Sequence, residues 1–461
     1  LILCLLFSLP YHDPDFGIRN VLVVCFQRII NFYRKAFFFL QTDDAAGVQP
    51  DHHYTVGRLV TGQVLFARLE VHLDVDDAAF GQSHFVSPDF HDIFDRLVHV
   101  RDRMARKMGY ENFIELGYCR MERMCYDVQA VQTFRENIVR DIVPVVSRLR
   151  LENAKRLGID TFRLYDNEVF TPGGDPTPCG KEALFAAAQK MYDGMGDVPG
   201  AFFRMMCENE AFDVDARPNK WGGGYCTEFV KYHQPFILAN FNGTSGDVDV
   251  VTHEAGHALN AYLIANNRFA LELGCGGMET AETHSMSMEF FAWPYLDGFF
   301  PKAGDAQRYR FQHALDALSF LPYGTMVDEF QHRIYAEPDL TPAGRNAVWL
   351  ELEAKYRPYI DQRGIPYLER GTRWQYQMHI YETPFYYIDY CLAQTAAFQF
   401  LLASQADYAD AFARYLHLSE QGGEKLWTDL LTEAGFRSPF APGALAQLAA
   451  QVEPLIRRQN I

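Results

Sequence analysis

The sequence predicts a helix-dominated chain forming one large unit, with a small β-sheet beside its chemically richest segment. Three observations lead there. From about Asp92 onward, apolar residues recur mostly at helical spacing with charges between them. One stretch, Pro235–Phe241 (PFILANF), reads as β instead, and the glycines Gly222–Gly224 precede it. Hydrophobic residues make up 48% and charged residues 22%, the balance of a chain that buries a core. A length of 461 residues fits two or three ordinary domains or one large body. With no internal repeat or low-complexity tract, we expect one body over residues 93–461 and a separate N-terminal segment over 1–92.

The elements follow in order. Gly62–Asp77 holds short apolar runs compatible with strands, after the polar, breaker-rich Thr42–His53. Phe94–Met108 (FDRLVHVRDRMARKM) has apolar positions at helical spacing, and Gln129–Leu157 reads as a long amphipathic helix or helix pair. Thr171–Gly180 (TPGGDPTPCG) is a Pro/Gly loop, and Lys181–Met195 is again helical in period. After the strand, Asn242–Asp247 (NGTSGD) is a turn rich in helix-capping residues, and Val248–Ala265 is the helix it starts. Met278–Trp293 reads as a second helix, stopped by Pro294, and the chain after Asp305 is helical in period.

Charge and cysteine usage narrow the function classes. Lys and Arg number 42 against 59 Asp and Glu, a formal charge of −17, which argues against a nucleic-acid partner because phosphate binding needs clustered positive charge. The nine cysteines are irregularly spaced and include no C-x-x-C pair, so reduced thiols in the cytoplasm are expected rather than a disulfide framework. Leu1–Pro10 is apolar but lacks the flanks of a signal peptide, and Asn20–Leu40 is broken by Arg28, Arg34 and Lys35, so no membrane span is expected. The chain opens at Leu1 and its first Met is Met104; a truncated or irregular N-terminal start is the expectation.

The chemistry concentrates in His253-Glu254-Ala255-Gly256-His257. Two histidines four residues apart face the same way on a helix, one turn apart, so both imidazoles can reach one Zn²⁺. Val251, Ala255, Ala258, Leu259 and Tyr262 supply an apolar surface to anchor that helix. Glu254 is placed to act on water rather than to ligate. Gly256 costs a helix interior about 1 kcal/mol against Ala, which points to the close approach of a neighbouring element. A third histidine of the extended motif would need Gly at 260 and His at 263; Asn260 and Leu263 stand there, so a downstream carboxylate is expected. On the second helix Glu282, Ser285, Met286 and Glu289 share a face, and spacing alone leaves Glu279, Glu282 and Glu289 open as the third ligand. His284 points away from that face and reads as a packing residue or a support to a ligand rather than a ligand itself.

The run Phe236–His257, followed by Glu282-Thr283-His284-Ser285-Met286-Ser287-Met288-Glu289, resembles the thimet oligopeptidase and oligoendopeptidase F family of zinc peptidases, most of all its oligoendopeptidase F branch. That family pairs H-E-x-x-H with E-x-x-S-x-x-x-E about 25 residues beyond the second histidine, the separation of His257 and Glu282 here. The likeness continues through Ile114–Met124, Gly222–Thr227, Phe320–Gln331, His379–Gln394 and Ala434–Phe440, and covers residues 93–461; residues 1–92 do not resemble the helical N-terminal lobe of the family.

The resemblance implies a helical zincin-type peptidase body with a deep substrate channel, one Zn²⁺ held by His253, His257 and Glu282, and Glu289 as a carboxylate orienting a ligand. It implies Glu254 as general base, and Tyr390 and His379 as donors to the tetrahedral intermediate. Tyr386 or Tyr387 would assist Tyr390, though tyrosines beside Pro384 and Phe385 also read as core aromatics. Substrates implied are short unfolded oligopeptides. The strand Pro235–Phe241 is a candidate for pairing with an extended peptide, with Gly223, Gly224 and Tyr225 allowing its backbone close. The competing expectations are an exopeptidase-like protein and a catalytically silent peptide-binding scaffold; intact Glu254 argues against the scaffold.

Overall fold

The computed structural model describes residues 88–267, 274 and 276–459, all within one unit, Asp74–Ile461. The strands expected over Gly62–Asp77 lie outside the described residues.

The body is helical, as expected. Helix α1 spans Pro88–Lys107 and α2 Phe113–Arg120. The long amphipathic stretch is a helix pair, α3 (Val128–Asn137) and α4 (Val143–Leu157), joined by a π-helical turn over Ile138–Ile142. Pro144, at the start of α4, has no N–H to return to Arg140, so the backbone ladder shifts register there without the axis being lost. Next come α5 (Lys181–Met195), closed by Gly196, and α6 (Asp197–Glu208).

The sheet has three strands: β1 (Phe212–Asp215), β2 (Tyr225–Phe229) and β3 (Gln234–Phe241), in the order β1-β3-β2. Pro235, Ile237 and Ala239 are buried at alternate positions of β3, the period-2 pattern that makes it a strand. β1 runs parallel to β3 and β2 antiparallel, so both edges of Pro235–Phe241 are already paired. This corrects the expectation that Pro235–Phe241 offers a free edge to a peptide; among the described residues the outer strands β1 and β2 each have an unpaired far side, and β2 is the one that follows Gly222–Gly224.

Helix α7 (Gly246–Asn267) leaves the sheet through a turn whose backbone N–H groups at Asn242 and Gly243 donate to the two oxygens of Asp247, at 3.0 and 2.8 Å. Val248, Val251, Ala255, Ala258 and Leu259 are buried along it, with Tyr262 half-buried. α7 packs on α8 (Met278–Phe291), and α8 packs along a later helix, Tyr387–Ala406. Between them in sequence stand α9 (Asp305–Ala336), α10 (Pro342–Tyr356) and the short α11 (Pro366–Glu369) and α12 (Met378–Glu382), which make Tyr387–Ala406 α13. The chain closes with α14 (Tyr408–Ser419), α15 (Trp427–Glu433) and α16 (Ala444–Gln459).

The reason for Gly256 is visible at the α7–α8 crossing. A Cβ there would lie 2.7 Å from Ser285 Cα and 2.8 Å from the His284 carbonyl oxygen, so only glycine lets the two helices meet this closely. Beneath α13 the core carries charge. Arg123 and Asp389 are fully buried and paired at 3.0 Å, and Asp389 also accepts from the Tyr126 hydroxyl at 2.7 Å. Burial pushes the Asp389 carboxyl up to about 6 against the pull of Arg123.

Candidate metal centre and peptide-facing groove

His253 and His257, one turn apart on α7, and Glu282 on α8 bring one donor atom each to within 4.8 Å of one another. Glu282 Oε2 lies 3.5 Å from His253 Nε2 and 3.6 Å from His257 Nε2. Ligand bonds of about 2.1 Å at tetrahedral angles separate donor atoms by about 3.4 Å, so two nitrogens and one oxygen stand where a Zn²⁺ needs them. Of the three carboxylates that spacing left open, Glu282 joins the histidines. Glu289 binds the far side of His253, with Oε1 2.5 Å from Nδ1, and Glu279 is buried elsewhere, with the Cys125 thiol 3.9 Å from its Oε1.

The electrostatics favour a cation between these groups. Burial pushes the His253 imidazole down, but Glu282 and Glu289 outweigh it and hold its pKa well above the ordinary range. Against the opposing effect of burial, the two imidazoles hold Glu282 well below the usual carboxylate range, and His253 and His313 hold Glu289 near about 2. Glu282 is further fixed by hydrogen bonds from Ser285 Oγ to Oε2 at 3.0 Å and from the Tyr386 hydroxyl to Oε1.

Glu254 stands outside the donor set. Burial raises its pKa, against the pull of His253 and His257. Gly224, at the start of β2, approaches it: a Cβ on Gly224 would be 3.4 Å from Glu254 Oε1. Gly223 has φ +97°, and Asn240 Nδ2 donates to its carbonyl at 3.0 Å, which fixes the turn leading into β2. Tyr225, next along, is exposed on the β2 edge, with its ring 5.7 Å from that of Trp221. Of the three residues expected to face a peptide, Gly224 thus approaches Glu254, while Gly223 and Tyr225 flank it against Trp221.

The aromatic segment comes from α12 and α13. Gln377 Nε2 donates to His379 Nδ1 at 2.8 Å, while Gln377 Oε1 accepts from the Tyr323 hydroxyl at 2.7 Å. With Nδ1 accepting, the proton of the neutral ring sits on Nε2, and burial keeps the pKa of His379 down so that it stays neutral. The half-buried Tyr390 has its ring 4.7 Å from Tyr386 and 6.0 Å from His379. Tyr386 reaches the Glu282 carboxylate, whereas Tyr387 is buried against Phe320, Tyr323 and His379. The two neighbours thus diverge in placement.

Tyr386 follows Phe385, a buried residue in the left-handed region at φ +72°. Its N–H donates to Gln331 Oε1 at 2.9 Å, its carbonyl accepts from Arg123, and its ring packs on Phe113, Tyr118, His332 and Tyr335. The bulk of these contacts holds a conformation that L side chains avoid. Beside the centre, a cavity of about 320 Å³ is lined by Tyr390, His379, Glu289, His313 and Asp316 among others.

Known proteins match this architecture. A model of peptidase family M3 matches residues 197–450, more than half of the chain. Oligopeptidase PepF of Bacillus subtilis (strain 168) is 25% identical over 316 residues, which are 65% of this chain and 45% of that protein. A solved structure of PZ peptidase A with an inhibitor is 44% identical with a TM-score of 0.78, over 80% of this chain and 66% of that one. A Bacillus anthracis structure assigned as an oligoendopeptidase F is 38% identical with a TM-score of 0.71, over 80% and 63% of the two chains. The chain thus spans less than half the length of the curated relative and about two thirds at most of these solved ones. The helical body around a small sheet is theirs, and over a span that includes His253, His257 and Glu282 the chain belongs to peptidase family M3.

Proposed function

We propose that residues 93–461 form a zinc-dependent endopeptidase domain that hydrolyses internal bonds of short unfolded oligopeptides. The observation that carries the reading is the convergence of His253, His257 and Glu282 with Glu254 beside them and the glycine edge of β2 next to Glu254. A zinc ion held by the three ligands supplies Lewis acidity and brings the pKa of water toward about 7.

The chain's own residues do the rest. A peptide laid along the open edge of β2 would pair backbone to backbone, with Gly223 and Gly224 leaving room for it and Tyr225 flanking it. Glu254, its pKa raised by burial, accepts a proton from the attacking water and returns it to the leaving amine. Tyr390, through its hydroxyl, and His379, through the proton on Nε2, are the donors for the oxyanion. Tyr386 assists indirectly by holding Glu282.

Free thiols at Cys119, Cys125, Cys179, Cys207, Cys226 and Cys391 fit the reducing cytoplasm expected for it. No helix among the described residues is long and apolar enough to cross a membrane. The experiment is Glu254→Gln. The variant should keep about one zinc per chain and lose cleavage of an internally quenched peptide with both ends blocked. Retained cleavage would remove Glu254 from the mechanism, and a wild type that cleaves only unblocked peptides would make it an exopeptidase.

A further inference from the structure

His313 lies on α9, away from every motif that points to the centre, and its surroundings give it a defined task. The ring stacks on Phe290, with centroids 4.7 Å apart and planes at 25°. Trp293 Nε1 contacts His313 Nδ1 at 3.0 Å. An indole N–H can only donate, so Nδ1 of His313 must accept and the proton of the neutral ring lies on Nε2. That Nε2 is 2.8 Å from Glu289 Oε2. The other oxygen of the same carboxylate is 2.5 Å from His253 Nδ1. A carboxylate accepts at both oxygens, so His253 carries its proton on Nδ1. Its Nε2 is then the nitrogen that faces Glu282 and His257, where the donor set converges and a metal would take the place of a proton.

The obligate indole donor fixes the direction of the bonds from Trp293 to His313 and from His313 to Glu289, and the carboxylate, which only accepts, fixes the one from His253. Each oxygen of Glu289 has one imidazole partner, and with only one of them the carboxylate could rotate about its last torsion. We propose that His313, oriented by Trp293, is a positioning residue for the metal centre: it holds Glu289 in the one orientation that presents His253 to a metal through Nε2. This inference rests on the metal-centre reading above and extends it by two residues on other elements. It assigns them no contact with substrate.

The test is zinc affinity, measured on the full chain by competition with a chromophoric chelator. His313→Phe keeps the stack on Phe290 and removes the donor; it should weaken zinc binding about 10–100-fold. His313→Gln, which restores an N–H donor, should recover part of that loss. Trp293→Phe, which keeps an aromatic ring and removes the indole donor, should weaken binding in the same direction by less, and it provides the measurement if His313→Phe does not fold. In a Glu289→Ala background His313→Phe should have no further effect, because its action passes through Glu289. Unchanged zinc affinity in folded His313→Phe and Trp293→Phe would overturn the proposal, as would independent, additive losses in the double variant. A wild type that binds no zinc would instead overturn the metal-centre reading itself, and this inference with it.

Discussion

Gly256→Ala isolates what the α7–α8 crossing contributes. Helix propensity alone predicts that alanine stabilises α7 by about 1 kcal/mol. The crossing predicts the opposite. The new Cβ would meet Ser285 Cα at 2.7 Å, the His284 carbonyl oxygen at 2.8 Å and Met288 Cβ at 3.1 Å. Two of these are backbone atoms of α8 and cannot rotate aside, so the helices must separate by about 1 Å to restore a carbon contact of about 3.7 Å. Overpacking of this kind costs about 1–3 kcal/mol, and rigid neighbours put it at the upper end, for a net loss of about 2 kcal/mol. Because α7 carries both histidines and α8 carries Glu282, the same movement opens the 3.5 and 3.6 Å separations of the donor set. Zinc affinity should fall at least about tenfold, in line with a loss of ~1.4 kcal/mol or more. The measurements are the denaturant midpoint of the metal-free protein and chelator competition. A Gly256→Ala protein as stable as the wild type, with unchanged zinc affinity, would refute the close-approach reasoning.

Two further outcomes are expected. Arg123→Met leaves Asp389 buried without its cation and should cost about 3–5 kcal/mol in denaturant unfolding; in the folded fraction it should lower kcat while zinc content holds, because Arg123 also secures the Phe385 carbonyl ahead of Tyr386. Burial, with Asp389 nearby, raises the Glu279 carboxyl to about 8, so the folded state holds that proton more tightly than the unfolded chain. The stability it contributes is complete below about pH 4.5 and is lost as pH rises through about 8. Glu279→Gln, always neutral, should therefore match the wild type near pH 5 and exceed it near pH 8.5 under saturating zinc; parallel unfolding midpoints across that range would refute the assignment.

How much of this was legible in the sequence depends on how local each relationship is. The histidine pair follows helical spacing, so the motif exposed it, and Asn260 and Leu263 ruled out the histidine alternative; spacing left Glu279, Glu282 and Glu289 open, and only the family resemblance singled out Glu282 as ligand and Glu289 as its neighbour. His313 gave no such signal: it resembles His332, another α9 histidine, which instead bonds Tyr118 and the Asp328 carbonyl. Only the packing of α9 against α8 separates them. Likewise the period-2 pattern of Pro235–Phe241 identified a strand but not its neighbours, because pairing with Phe212–Asp215 and Tyr225–Phe229 is set by chain paths the pattern does not contain. Tyr386 and Tyr387 are adjacent in sequence, so about 100° of helix rotation sends one to Glu282 and the other onto Phe320, Tyr323 and His379 at the cavity wall.

The anchoring of Phe385 gives the two halves of the centre different foundations, joined through the Tyr386–Glu282 hydrogen bond and the packing of α8 along α13. The ligand half depends on α7 and α8 meeting at Gly256. The tyrosine half depends on a residue gripped by Arg123, Gln331 and the rings of α2 and α9, elements far from the ligands in sequence. Loosening those distant elements would release Tyr386 from Glu282 while the α7–α8 crossing at Gly256 stays closed. In a denaturant titration, turnover would then vanish at concentrations where the metal is still held, and the gap between the two curves would measure how independently the halves are built.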